Sequence, residues 1–63
     1  MTYYFRYYLI LYSIKDDRVF TDSGIINSPS SDILEGLLSL REKIARWYPG
    51  DEYICSHIEL DEA

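Results

Sequence analysis

Three side chains that could do chemistry alternate along one short segment near the C-terminus, Cys55, His57 and Glu59. Alternate residues of a β-strand point to the same side, so a thiol, an imidazole and a carboxylate would project together. These groups bind zinc, and a Cys–His pair can also serve as nucleophile and base. However, a closed zinc site needs four ligands, and the sequence contains no second cluster and no recognisable oxyanion site. We therefore predict no catalytic residue, no metal and no cofactor, and keep a small metal-binding protein or enzyme using these three residues as an alternative.

A tyrosine-rich run near the N-terminus indicates the main structural element. Residues 3–12 contain five of the seven tyrosines of the chain and a single charged residue, Arg6. Aromatic and aliphatic residues in an unbroken run of this length predict a β-strand with little polar surface on either side. Such a strand needs cover on both faces, and a chain of 63 residues has little material to supply it.

Periodicity and turn residues divide the rest of the chain. A polar connection, residues 15–18, predicts a hairpin, and Pro49-Gly50 predicts the end of a helix with an apolar stripe. Gly24 predicts a bulge or a point of close backbone approach. The predicted elements are a strand at 3–14, a strand at 19–27, a helix at 31–48 and a strand at 53–60, with residues 61–63 frayed. The predicted helix stripe consists of Ile33, Leu37, Leu40, Ile44 and Trp47.

This order predicts a single α+β domain, residues 1–63, with ββαβ topology. The first strand is the most apolar, so we place it in the centre of a three-stranded antiparallel sheet of order 2-1-3, with the helix on one face. The residues predicted to lie beneath the helix are Tyr3, Phe5, Tyr7, Leu9 and Leu11 from the first strand and Ile54, Ser56, Ile58 and Leu60 from the third. The register of the second strand stays open, because one residue more in the turn exchanges its two faces.

The other face of the sheet has no second helix to cover it. It is predicted to show Tyr4, Arg6, Tyr8, Ile10 and Tyr12 from the first strand and Tyr53, Cys55, His57 and Glu59 from the third. Exposed aromatic patches of this kind mark contact surfaces, and tyrosine suits them because it joins a large apolar ring to a polar tip. An open sheet that simply tolerates water is the alternative. Arg6 could stack on the ring of Tyr4 or Tyr8, or form an ion pair with Glu59 across the strands, and we expect the ion pair.

The sequence thus predicts a non-enzymatic protein–protein interaction module. The expected partner is a second copy of the chain, giving a homodimer through this face, or a host protein. Edge-to-edge strand pairing is the rival geometry for the homodimer, because both outer strands have free edges. The residues predicted to form the interaction face are Tyr4, Arg6, Tyr8, Ile10, Tyr12, Tyr53 and His57.

Charge and cysteine content narrow the classes further. Eleven acidic residues against six basic ones give a net charge of −5, which disfavours direct nucleic-acid binding. An acidic inhibitor that mimics nucleic acid stays an alternative function. The lone cysteine and the absence of a signal-peptide pattern indicate the cytoplasm, and the apolar run is too short to span a membrane.

The layout also resembles that of a loosely defined group of proteins. A tyrosine-rich first strand, a short helix opened by Ser31-Asp32 and a last strand ending in residues 58–62 (IELDE) are similar to features of small phage- and prophage-encoded proteins of unknown function. The resemblance implies an accessory or host-interaction gene product, and it assigns no site residues.

Overall fold

Four elements make up the chain in the computed structural model, which describes residues 1–63 throughout. They are strand β1 (Tyr3–Ser13), strand β2 (Arg18–Ser28), helix α1 (Ile33–Trp47) and strand β3 (Tyr53–Glu62). The strands form one antiparallel sheet of order β2-β1-β3, which confirms the predicted ββαβ topology and strand order. The helix, with 15 residues, is neither long enough nor apolar enough to cross a membrane.

The hairpin turn sets the register that the sequence left open. Asp17 adopts a φ of 51°, in the left-handed region that aspartate tolerates better than most residues. Its carboxylate accepts a hydrogen bond from the Tyr12 hydroxyl, and Ser13 lies opposite Arg18. As a result the even-numbered residues of β2, including Phe20, lie on the same side as the odd-numbered residues of β1.

The core lies between the sheet and α1 and contains six buried apolar side chains. The first strand contributes three of them, and all three occupy the odd positions predicted to lie beneath the helix. The six are Phe5, Leu9, Leu11, Ile26, Leu40 and Ile44.

The helix packs through a narrower line of residues than its apolar stripe predicts. Gly36, Leu40 and Ile44 are its buried residues, whereas Ile33 and Trp47 are 48% and 44% exposed. Only Leu40 and Ile44 of the five stripe residues belong to the buried core, so the prediction that the whole stripe forms the core is wrong at Ile33, Leu37 and Trp47. The physical reason is Gly36, which faces the Phe5 ring so closely that a Cβ atom there would lie 3.0 Å from Phe5 Cε2. A glycine at this contact lets the helix backbone approach the sheet and sets which side of the helix faces it.

Strand β3 contains an irregularity that changes which of its residues face the helix. Ile10 lies opposite His57, but the next residue, Leu11, lies opposite Cys55, so Ser56 is an extra residue in a β-bulge. The Ser56 hydroxyl donates a hydrogen bond to the Ile10 carbonyl oxygen at 3.2 Å, which holds the bulge in place.

Because of the bulge, the prediction of which β3 side chains face the helix is correct for only half of the strand. Ile58 and Leu60 face the helix as predicted, since they follow the bulge. Before the bulge the alternation is reversed, so Tyr53 and Cys55 lie on the helix side and Ile54 lies on the opposite face.

The C-terminal end of the chain is paired rather than frayed. Strand β3 continues to Glu62, and the backbone N–H of Ala63 donates to the Tyr4 carbonyl oxygen at 3.0 Å. The prediction that residues 61–63 fray is wrong, because the central strand still offers backbone partners at this end.

Candidate functional site

The face of the sheet that α1 leaves uncovered is the candidate site, and we call it the open face. Cross-strand pairing places residues of all three strands on it. The open face consists of Tyr4, Arg6, Tyr8, Ile10 and Tyr12 from β1, Val19, Thr21, Ser23, Ile25 and Asn27 from β2, and Ile54, His57, Glu59 and Asp61 from β3. The five β1 residues therefore share the face predicted for them.

Large apolar side chains are exposed on each strand of the open face. Tyr4 is 57% exposed on β1, Ile25 63% on β2 and Ile54 52% on β3. Tyr8 and Val19 are exposed as well, while Ile10 and Tyr12 are half-buried between their neighbours. Exposed apolar surface that continues across neighbouring strands is more than scattered single residues and indicates a contact surface.

The open face is wholly apolar at one end and mixed at the other. Next to the hairpin turn, Tyr12 lies between Val19 and Ile54, which gives a row of three apolar side chains across the sheet. Towards the other end, Arg6 lies between Ile25 and Asp61. The polarity of the face therefore changes along the strands and gives the face a direction.

The charged groups of the open face do not pair as predicted. His57 Nε2 lies 3.2 Å from Glu59 Oε2, with both side chains about half exposed, and this is the only basic–acidic side-chain contact of the structure. The register places Glu59 opposite Tyr8 and Asp61 opposite Arg6, and Arg6 forms no ion pair with either. The predicted Arg6–Glu59 ion pair is therefore wrong.

The three residues considered for metal or nucleophile chemistry do not share a face. The bulge at Ser56 turns Cys55 to the helix side, where it packs against the core, while His57 and Glu59 stay on the open face. The Cys55 thiol lies 3.5 Å from the backbone carbonyl oxygen of His57, not near its imidazole. No group of three or more His, Cys, Asp or Glu side chains is placed to hold a metal ion. The geometric premise of the metal or nucleophile alternative is therefore wrong.

Tyr53, predicted on the interaction face, belongs instead to an aromatic cluster on the helix side. Its ring centroid lies 5.2 Å from that of Tyr48 and 5.9 Å from that of Phe20, both in edge-on contact. The Tyr48 hydroxyl donates a hydrogen bond to Asp22 Oδ2 at 2.7 Å. Sequence reasoning missed this cluster, because it depends on the reversed alternation before the bulge. The cluster closes the C-terminal end of the helix–sheet interface, so we assign it a structural role.

The Tyr48–Asp22 contact predicts a loss of stability at alkaline pH. Desolvation and then the neighbouring Asp22 carboxylate raise the pKa of Tyr48 to about 12 from its usual 10. Because the pKa of Tyr48 is raised in the folded state, its protonated hydroxyl contributes fully to the free energy of unfolding below pH 10. This contribution is lost as the pH rises towards 12. We expect the urea midpoint to fall over that range, and to fall less in Tyr48→Phe, which has no phenol to ionise. An equal fall in both proteins would show that other groups cause the alkaline loss.

Comparisons with models of protein families, with curated proteins and with solved structures find no match to this chain. The resemblance to small phage- and prophage-encoded proteins therefore stays a prediction, and the function must be argued from the open face itself.

Proposed function

We propose that this protein is a non-enzymatic protein-interaction module, and that its open face binds the open face of a second copy. The observation that carries the proposal is the one-sided cover of the sheet. Helix α1 packs on one face, while the other exposes Tyr4, Tyr8, Val19, Ile25 and Ile54. Covering these side chains removes apolar surface from water, which is the main favourable term in protein association.

The size of the open face suits a homodimer. The molecule measures 40 × 17 × 14 Å, so two faces packed together would bury about 1,100–1,400 Å² in total, the lower range for a specific interface. The monomer also has a small core, with nine of 63 residues buried, and its radius of gyration of 12.2 Å exceeds the value of about 11 Å typical of a domain this long. A partner chain is one of the usual ways in which domains of this size gain stability.

The direction of the face favours one arrangement of the two copies. A two-fold axis running along β1 places the apolar row of Tyr12, Val19 and Ile54 against the same row of the second copy. Axes across the strands would instead place this row against the mixed end, where Arg6 lies between Ile25 and Asp61. Aligned packing of two sheets also has the common geometry of β-sandwiches, with strands within about 30° of each other.

The alternatives fit the open face less well. An acidic mimic of nucleic acid needs a dense carboxylate surface, but the open face contains two carboxylates, Glu59 and Asp61, beside its apolar rows. A host protein is an alternative occupant of the same face. We place the protein in the reducing cytoplasm, because its free Cys55 has no second cysteine in the chain.

Tyr8→Glu tests the proposal, because Tyr8 lies on the central strand in the middle of the open face. Sedimentation equilibrium at micromolar concentration should give a dimer for the wild type and a monomer for Tyr8→Glu, since the contact would bury two unpaired carboxylates. Leu38→Glu is the matched control, because it places the same charge at an exposed position of α1 and should stay dimeric.

Two outcomes would contradict the proposal. If Tyr8→Glu is as dimeric as the wild type, the open face is not the contact surface. If the wild type is a monomer at millimolar concentration, a second copy is not the occupant, and a different protein is the remaining candidate for the face. Circular dichroism of both variants shows whether each charge leaves the fold intact.

A further inference from the structure

The outer edge of β2 has free backbone groups that point away from the sheet. Even-numbered residues of β1 bond to the β3 side, since the Tyr4 carbonyl oxygen accepts from Ala63 and the Ile14 N–H donates to the Glu52 carbonyl oxygen. The odd-numbered residues of β1 therefore bond to β2, where they lie opposite even-numbered residues. It follows that the odd-numbered residues of β2 direct their N–H and C=O groups outward. These residues are Val19, Thr21, Ser23, Ile25 and Asn27.

The two edges of the sheet differ in how they are protected. Folded proteins block free edges with bulges, prolines and charged side chains, because an unblocked edge pairs with other strands. Strand β3 contains the bulge at Ser56 and three acidic residues near its end, Glu59, Asp61 and Glu62. Strand β2 runs for 11 residues with no bulge against β1 and no proline, and none of its five outward-bonding residues is charged.

We propose that β2 pairs antiparallel with β2 of a second copy around a two-fold axis at Ser23, which joins the two sheets into one of six strands. The contact lies in the plane of the sheet and is independent of the contact through the open face, which lies perpendicular to it. We expect this edge contact, which joins one strand of each copy, to form at higher concentration than the open-face contact.

The cross-strand pairs that β2 would form with its copy favour an axis at Ser23. With the axis there, Phe20 lies opposite Ile26 of the second copy, and apolar side chains meet on the helix side. Asp22 lies opposite Gly24 of the second copy, so no like charges face each other. Moving the axis to Asp22 would place two carboxylates in direct opposition, which destabilises a cross-strand pair.

An axis at Gly24 is also less favourable. It would place Asp22 opposite Ile26 of the second copy and Phe20 opposite Ser28, so each apolar side chain would lose its apolar partner. The outward backbone groups meet only when odd-numbered residues lie opposite odd-numbered residues. This excludes the registers whose axis lies between Asp22 and Ser23 or between Ser23 and Gly24. Ser23 is therefore the position at which backbone and side-chain pairing agree.

Cysteine cross-linking tests the register directly. In Ser23→Cys/Cys55→Ser, the two introduced thiols face each other across the axis with Cα atoms about 5.5 Å apart, which is within disulfide range. We expect mild oxidation to convert most of this variant to a covalent dimer. Ser23 is exposed and cysteine is close to serine in size, so the fold is retained.

Two matched variants serve as controls. Thr21→Cys/Cys55→Ser and Ile25→Cys/Cys55→Ser should each stay uncross-linked alone, because equivalent residues two positions from the axis are offset by about 13 Å. An equal mixture of the two should cross-link, since Thr21 lies opposite Ile25 of the second copy. Cross-linking of each variant alone to the same extent as Ser23→Cys would overturn the proposal.

Two further measurements separate this contact from the open-face contact. Adding Tyr8→Glu to the Ser23→Cys variant should leave its cross-linking unchanged, and loss of cross-linking there would overturn the edge proposal. In the wild-type protein, hydrogen exchange at the amides of Thr21, Ser23 and Ile25 should slow as concentration rises. Exchange at these amides that does not depend on concentration up to the millimolar range would also overturn it.

Discussion

Leu40→Ala is expected to unfold a large part of the protein population at 25 °C. Leu40 is fully buried and belongs to the helix–sheet core, so the substitution leaves a cavity lined by apolar side chains. Truncation of a buried leucine costs about 2–5 kcal/mol, and a chain of this length has a total stability of about 3–9 kcal/mol. The loss is therefore comparable with the whole free energy of unfolding.

The measurement is urea unfolding followed by circular dichroism, with Leu38→Ala as the control. Leu38 lies on the same helix but is 55% exposed, so its truncation should change the free energy of unfolding by less than about 0.5 kcal/mol. A Leu40→Ala protein with the midpoint of the wild type would mean that α1 packs through a different face.

Gly36→Val is expected to be the second most destabilising change, for the opposite reason. A Cβ atom at this position would lie 3.0 Å from Phe5 Cε2 and 3.3 Å from Leu60 Cδ2, and valine adds two further methyl groups beyond it. Phe5 is buried, so either its ring must move against its neighbours or the helix must shift away from the sheet. Overpacking of this kind costs about 1–3 kcal/mol.

Leu34→Val is the matched control for the helix propensity of valine. Leu34 is 60% exposed on the same helix, so this change introduces valine without the steric contact. Valine has a higher helix propensity than glycine, so propensity alone would not destabilise Gly36→Val. Equal destabilisation by the two changes would show that the contact between Gly36 and Phe5 is not tight.

The architecture could be predicted from the sequence because its signals are local. The apolar run of the first strand, the polar turn and the helix stop at Pro49-Gly50 are each contained in a few consecutive residues. Together with the high apolar content of the first strand, they determine the ββαβ order and the central place of β1. The structure confirms both.

The facing of β3 could not be predicted, because it depends on a contact between distant parts of the chain. The bulge at Ser56 is held by a hydrogen bond to Ile10, 46 residues earlier, and no signal in residues 53–60 announces it. One extra residue reverses the alternation before it, which moves Tyr53 and Cys55 to the helix side. For this reason Tyr53 does not lie on the predicted interaction face. For the same reason Cys55 does not share a face with His57 and Glu59.

The buried side of α1 was predicted wrongly because Gly36 was not considered part of it. Hydrophobic periodicity gives weight to large side chains, so it placed Ile33 and Trp47 in the core and assigned Gly36 no face. The structure shows that the closest approach of helix and sheet needs a residue without a side chain. An apolar stripe centred on Gly36, Leu40 and Ile44 would have been the better prediction.

The most direct test of the central claim, that the open face binds a second copy, is an isotope-filtered nuclear Overhauser experiment. Equal amounts of labelled and unlabelled protein are mixed at a concentration where the wild type is dimeric, so that only contacts between chains give signals. If two open faces bind each other, intermolecular signals are expected from Tyr8, Ile10 and Tyr12 to residues of the open face. Intermolecular signals confined to exposed residues of α1, such as Leu34 and Leu38, or no intermolecular signals at all, would contradict it.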